Sequence, residues 1–353
     1  MATLKCSWKL LLSPSTSSAA HFCRIQPRLF ASAANNRLNE VGKVAQISEQ
    51  PYETGQPFIH QIFGYRGVVL FSWPSKVHDR LANTSTESST SPNDSVLDKR
   101  PQVDFSGVEL PVVTTNYYQV LLHTPDLDHI NVVTDMVCFV PARDVRAKLH
   151  TIRGVDHVAH ADLLPYVPVE QPSVQHESFG TFFRTAPSPT RELKFEATEY
   201  LLQWKEKNLG YLEYTSVHSD TTEEVRVTII PFYMGSQQSN RTTVYFWRYT
   251  VRIENLNAEQ SVTLRTRHWK VYSAGNKMEE YKGSGVVGFQ PCLSVGNPAF
   301  QYNSFVSLKS PTGHMWGTYA MERQDGSTFQ CRIPPMTLES EPADKNIPPV
   351  INV

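Results

Sequence analysis

The chain has 353 residues with 33 Lys or Arg and 34 Asp or Glu, a formal net charge of −1. Residues 1–39 hold five basic residues and no acid, so without them 28 basic face 34 acidic residues, a net of −6, and a globally basic coat for nucleic acid is excluded. No run approaches the roughly 18 apolar residues that a membrane-spanning helix needs. The five cysteines (Cys6, Cys23, Cys138, Cys292, Cys331) form no CxxC pair, which speaks against a disulfide framework or a Cys-based zinc site.

The first 39 residues are rich in Ser and Ala as well as basic. Leu4, Trp8, Leu11 and Leu12 share one helical face, and Lys5 and Lys9 lie off it. This composition predicts a mitochondrial presequence and disordered leader over 1–46, with a matrix-peptidase-like site at Arg28-Leu29-Phe30-Ala31-Ser32. The plainer reading is a disordered tail. Residues 40–56 read as a connector. From Phe58 to Trp73 the chain is strand-forming, punctuated by Gly64 and Gly67, where tight bends are expected. Residues 81–96 are polar and of low complexity, and predict a long mobile loop. Strand character returns at Tyr117–His123 and Asn131–Val140. Short strands without a helical period predict a compact barrel over 50–165.

Pro165, Pro168 and Pro172 mark a linker over 166–222. Within it Leu193, Ala197, Leu201 and Trp204 fall on one stripe, predicting a helix over 191–208 that Gly210 ends. From Val225 onward strands alternate: Val225–Ile229, Val244–Glu254, Val262–Tyr272, Phe300–Leu308 and His314–Glu322. Asp325-Gly326 then predicts a hairpin into Thr328–Ile333. Seven or so short strands predict a two-sheet sandwich over 223–340, followed by a flexible tail at 341–353.

Three patterns invite a chemical reading. Gly283-Ser284-Gly285-Val286-Val287-Gly288 matches G-x-G-x-x-G, but Pro291, Gly296 and Pro298 exclude the helix that a dinucleotide fingerprint requires. What remains is a loop with positive φ at its glycines, or an anion-binding nest on Gly283, Gly285 and Gly288. His157, His160 and Asp162 are metal-ligand types, yet Gly154 and Pro165 bound the stretch and no further ligand cluster is evident. Surface polar residues in a connector are the expectation. On the strand Leu264–Lys270, strict alternation puts Arg265, Arg267 and Trp269 on one face. That face could be a protein-docking anchor, a nucleic-acid contact, or a solvated sheet with Trp269 in the core. No nucleophile elbow, Walker loop or zinc-protease motif is present, so no cofactor and no metal are expected and the chain reads as a non-enzyme.

Several stretches are also familiar. Gly283–Pro291, Phe300-Gln-Tyr, Gly313-His-Met-Trp-Gly-Thr-Tyr and Phe329-Gln-Cys-Arg-Ile-Pro-Pro resemble the ApaG domain. Gly55-Gln-Pro-Phe58, His60, Phe63-Gly-Tyr-Arg-Gly-Val-Val69 and Tyr117-Tyr-Gln-Val-Leu-Leu122 resemble the YccV/HspQ family. Presequence, YccV-like module and ApaG module in this order resemble the polymerase delta-interacting protein 2 family. The resemblance implies a mainly β fold: a small SH3-like barrel, a connecting helix, and an immunoglobulin/fibronectin-III-like sandwich. It implies a non-catalytic adaptor of the mitochondrial matrix and nucleoid, with a nuclear pool. The implied partners are DNA polymerase subunits, the primase-polymerase, the sliding clamp and the AAA+ unfoldase ClpX, with direct DNA binding as the alternative. A monomer is expected. Phe63, Tyr65, Arg66, Arg265, Arg267 and Trp269 are the expected partner-binding residues.

Overall fold

β-branched and aromatic residues in short alternating runs favour strands, because such side chains pack well on a pleated, half-buried surface. The computed structural model describes residues 42–45, 48–80, 112–130, 132, 135–139, 149–168, 174–186, 194–212, 215–239, 242–273 and 278–340. The leader ahead of residue 42, the polar loop expected at 81–96 and the tail expected at 341–353 lie outside them, as do parts of 131–140.

The first module is built from β1 (Gly42–Val44), β2 (Pro57–His60), β3 (Arg66–Asp79), β4 (Val112–Leu122), β7 (Val155–Ala159) and β8 (Leu163–Pro168), with β5 (Asp135–Phe139) and β6 (Leu149–Arg153) as a separate two-stranded ladder. The order across the sheet is β1-β8-β2-β3-β4-β7. β7 and β8 are consecutive in the chain but lie on opposite sides of β2–β4. One 3-10 turn at His160–Asp162 carries the chain between them, which curls the sheet in the SH3-like manner. Gly64, at φ +70°, makes the bend between β2 and β3 that the sequence predicts. The connector expected over 40–56 is in part a strand, because Gly42–Val44 pairs antiparallel with Tyr166–Pro168.

The predicted helix is displaced. Lys194–Ala197 is a strand, β10, paired with β9 (Phe183–Ala186), and the helix runs Glu199–Leu212, through Gly210. Two contacts decide this. Thr198 is the better start, since its Oγ1 accepts the Leu201 N–H at 3.3 Å. Phe195 meets Phe179 edge-on, with ring centroids 5.1 Å apart, instead of joining the helical stripe. Leu201 and Trp204 do face inward: Trp204 stacks on Phe182 at 5.1 Å and meets Phe71 of β3 edge-on at 5.8 Å.

The second module is a sandwich. One sheet holds β11 (Ser216–Thr222), β12 (Val225–Ser239), β13 (Thr242–Asn255) and β17 (Ala299–Leu308), in that order. The other runs β15 (Glu279–Ser284), β14 (Val262–Ser273), β18 (Thr312–Arg323), β19 (Thr328–Glu339), with β16 (Cys292–Leu293) also on β14. Trp247, Tyr249, Val251 and Ile253 of the first sheet pack with Trp269, Val271, Tyr319, Met321 and Cys331 of the second in one buried cluster. Burying each large apolar side chain contributes about 1.5–3 kcal/mol. The Asp325-Gly326 hairpin forms, with Gly326 at φ +82°.

The two modules share a sheet. β3 of the first pairs in parallel with β11 of the second, in the register Lys76↔Ser216, Val77↔Val217, His78↔His218 and Asp79↔Ser219. One ten-stranded sheet therefore runs through both. A second core cluster joins Val68, Leu70, Phe71 and Trp73 of β3 to Ile230, Phe232 and Met234 of β12 and to the helix.

Candidate interaction surface

Three of the six expected partner-binding residues are core residues, and the sequence-based expectation for them is corrected. Phe63 and Tyr65 stack with interplanar angle 9° beside the His60 ring, and both are buried. The short turn between β2 and β3 points its aromatics into the barrel, because burying both rings outweighs leaving them in water. Trp269 is buried between Tyr249, at 5.5 Å, and Tyr319, at 6.3 Å.

The strand carrying Trp269 also breaks the strict alternation. Leu264 pairs with Met321 and Thr266 with Ala320, so Arg265 is an extra residue in a β-bulge. Before the bulge Val262 and Leu264 face the core. After it Trp269, Val271 and Ser273 do. Arg265 therefore does not share a face with Trp269. Its guanidinium makes a two-pronged pair with Glu322, at 2.8 and 3.1 Å, and a bond to Gln290 at 3.0 Å. Arg66 is likewise engaged: its side chain and its own N–H donate to Asp126 at 2.9–3.0 Å. Burial opposes the charge on Asp126, but Arg66 holds its carboxyl below the usual range.

Arg267 explains the glycine-rich loop. Its guanidinium donates to the carbonyls of Ser284 and Gly285, at 3.0 and 2.6 Å. A Cβ on Gly283 would lie 2.9 Å from that guanidinium, so the bare glycine leaves room for it over β15. Gly285 and Gly288 have positive φ, as a loop reading requires. The amides of Gly285, Val286 and Phe289 donate to the carbonyls of Arg265, Phe289 and Val286. The loop thus turns two carbonyls toward a cation and commits the Gly285 amide internally, which counts against an anion nest on Gly283, Gly285 and Gly288.

His157, His160 and Asp162 are not surface connector residues either. His157 is buried against Phe232, at 4.5 Å, and Trp73, at 5.6 Å. His160 bridges Tyr118 Oη, at 2.6 Å, and the Ser48 carbonyl, at 2.7 Å. Asp162 accepts from Arg252 of β13 at 2.6 Å. His160 is thus held within the first module, while His157 and Asp162 lie where the modules meet, Asp162 in a polar seam. Arg252 also lies 3.4 Å from Glu254. Burial opposes the Arg252 charge, but Asp162 and Glu254 raise its pKa. Asp156 accepts from Tyr65 Oη, Gln301 Nε2 and the His157 N–H, each at 2.7 Å, and burial pushes its carboxyl up. Among the described residues no group of three or more His, Cys, Asp or Glu is placed to hold a metal ion.

The exposed apolar surface lies elsewhere. Residues 283–308 contain no Asp, Glu, Lys, Arg or His, in a chain that is 19% Asp, Glu, Lys and Arg. Val287, Phe289, Val295 and Phe305 in this run are exposed. Val287 is a β-branched residue at φ +43°, a conformation that costs about 1–3 kcal/mol, and it holds its side chain at a turn tip. Sequence reasoning missed this surface. The signal that could have found it is the charge gap, since a soluble surface of ordinary composition carries charges throughout.

The ApaG domain family matches residues 235–323, from within β12 to the end of β18. Polymerase delta-interacting protein 2 of Homo sapiens is 42% identical over 329 residues, covering 91% of this chain and 86% of that protein, and the Mus musculus protein of the same name gives the same values. Protein ApaG of Rhodospirillum centenum is 43% identical over 124 residues, which is 35% of this chain and 94% of the bacterial protein.

Proposed function

This chain belongs to the polymerase delta-interacting protein 2 family, and from that premise we propose that it is a non-catalytic adaptor that binds DNA-synthesis enzymes. The observation that carries the reading is the family likeness over 91% of the chain, which takes in both modules. The name of the human and mouse relatives states an interaction with polymerase delta. The shared sheet and the buried seam support it: they fix one docking surface relative to another, as a scaffold needs. In this reading the basic leader directs the chain to the mitochondrial matrix and nucleoid, with a nuclear pool. DNA polymerase subunits, the primase-polymerase, the sliding clamp and the ClpX unfoldase are its partners.

Purified full-length chain titrated against DNA polymerase delta and against ClpX tests the adaptor reading. Saturable binding of at least one is expected, without turnover of nucleotides or dinucleotides by the chain alone. Turnover abolished by one side-chain change, or binding to neither, would overturn it. The address has its own test: N-terminal sequencing of protein from mitochondria should begin near Ala31, and an intact Met1 there contradicts the presequence.

A further inference from the structure

β17 ends the ten-stranded sheet. It pairs with β13 on one side, from Tyr245↔Leu308 to Glu254↔Ala299. On its other side Val132 bridges Gln301 near the start of the strand. Among the described residues no strand pairs with Ser304–Leu308 on that side. A strand at a sheet edge presents alternate N–H and C=O groups outward, ready to pair with another chain. Proteins normally blunt such edges with Lys, Pro, a bulge or a covering loop.

The end strand of the second sheet, β15, follows that rule. It reads Glu279-Glu280-Tyr281-Lys282, and its outward charges are set in pairs: Glu280 with His268 at 3.0 Å and with Lys282 at 3.3 Å. β17 does not. It reads Ala-Phe-Gln-Tyr-Asn-Ser-Phe-Val-Ser-Leu, with no charge and no proline, inside the 26-residue charge gap. Phe305 stands 47% exposed in the open stretch. It lies opposite Arg248 in the β13–β17 register, and that guanidinium sits over the Phe232 ring at 4.2 Å. Phe305 therefore projects from the sheet face away from the sandwich core, beside a wall already made of ring and guanidinium.

We propose that the Ser304–Leu308 edge of β17 is a docking site for an extended, uncharged peptide segment of a partner protein, which adds to the sheet as a further strand. Main-chain hydrogen bonds to the outward amides and carbonyls would supply affinity, and an apolar side chain packed beside Phe305 would supply selectivity. The charge gap argues for this occupant. A charged segment would lose water beside a strand with no charge of its own, next to an Arg248 that is buried against the Phe232 ring, whereas an uncharged one loses none of that solvation. The inference rests on the adaptor reading and specifies how one partner is held.

The test uses a random twelve-residue peptide library displayed on phage, panned on the full-length protein with the Phe305→Lys variant as counter-selection. Phe305→Lys changes an exposed side chain, and an unchanged melting midpoint checks its fold. Ser307→Lys, at another exposed position of the same strand, serves if that check fails. Peptides selective for the natural protein should be uncharged and rich in β-branched residues, and should bind the variant at least about tenfold more weakly. N-methylation of their backbone should weaken binding about tenfold at alternate residues and leave the intervening ones unaffected, as one lost hydrogen bond per methylated donor requires. Absence of selective peptides, or indifference to N-methylation at every position, overturns the proposal. If a polymerase binds the chain and Phe305→Lys leaves that binding intact, this docking mode fails while the adaptor reading stands.

Discussion

Charge is placed in opposite ways in two regions of this molecule. Where the modules meet, the largely buried Arg252 bonds Asp162 at 2.6 Å and lies 3.4 Å from Glu254, and buried Asp156 accepts from Tyr65 and Gln301 at 2.7 Å. Along the 283–308 run, where the sandwich faces outward, charge is missing and Val287, Phe289, Val295 and Phe305 meet solvent instead. A buried ion pair adds little net stability over an apolar filling, but it penalises every arrangement that leaves a charge alone. It therefore selects one mutual orientation of the modules. An uncharged exposed edge does the reverse: it adds nothing to the folded chain and lowers the desolvation cost of a partner. One region fixes geometry and the other offers contact.

The largest effect should come from breaking the seam. Arg252→Ala leaves Asp162 and Glu254 buried without their cation and should destabilise the chain by about 3–5 kcal/mol in urea unfolding. Arg252→Met combined with Asp162→Leu should recover part of that loss, since removing both charges of that pair removes most of the penalty. A null effect of Arg252→Ala would show that the seam fixes nothing.

Acid should come next. Burial lowers the His60 pKa to about 3, and its Nδ1 accepts N–H groups from Ile62 and Phe63, which requires the neutral ring. Burial also lowers His218 to about 3, where it stacks on His78 at 5.0 Å in the β3–β11 register. The unfolded chain takes up these protons below about pH 6.5 and the folded chain does not until about pH 3. The stability contributed by the neutral rings is thus complete above pH 6.5 and is lost as pH falls through that window. One pH unit below 6.5, the two together should already cost about 2–3 kcal/mol. His218→Phe should flatten the dependence of the melting midpoint on pH, and an equally steep profile in that variant would contradict the assignment.

Smaller effects sharpen the outward side of the comparison. In Gly285→Ala the new Cβ would meet the Phe289 carbonyl at 2.0 Å with φ at +57°, so a loss of about 1–3 kcal/mol is expected. Phe305→Lys should stay within about 0.5 kcal/mol of the natural protein, because a docking residue contributes to binding and not to folding. A large destabilisation there would mean that Phe305 is structural.

The sandwich was legible in the sequence because its strands are dense in β-branched and aromatic residues between turn signals: the ranges expected from Val225 to Ile333 fall within β12, β13, β14, β17, β18 and β19. The Gly64 bend and the Asp325-Gly326 turn were legible because glycine has a conformational reason to stand there. What failed depended on distance or on a single residue. Arg265 is one extra residue in a bulge, and one residue reverses every face that alternation assigns beyond it. The start of the helix turned on Thr198 as a cap and on where Phe195 finds an aromatic neighbour. The burial of Phe63 and Tyr65, the parallel β3–β11 pairing and the Asp162–Arg252 contact join residues 90 or more apart or rings in a short turn, and no local pattern encodes them.

The central claim, that this is a rigid two-module adaptor, meets its most direct test in crosslinking mass spectrometry on intact mitochondria. Crosslinks from the chain to DNA-synthesis enzymes or to an AAA+ unfoldase are expected, together with internal crosslinks that join the two modules at spans the shared sheet allows. A chain crosslinked to none of these proteins, or internal crosslinks incompatible with β3 lying beside β11, would contradict it.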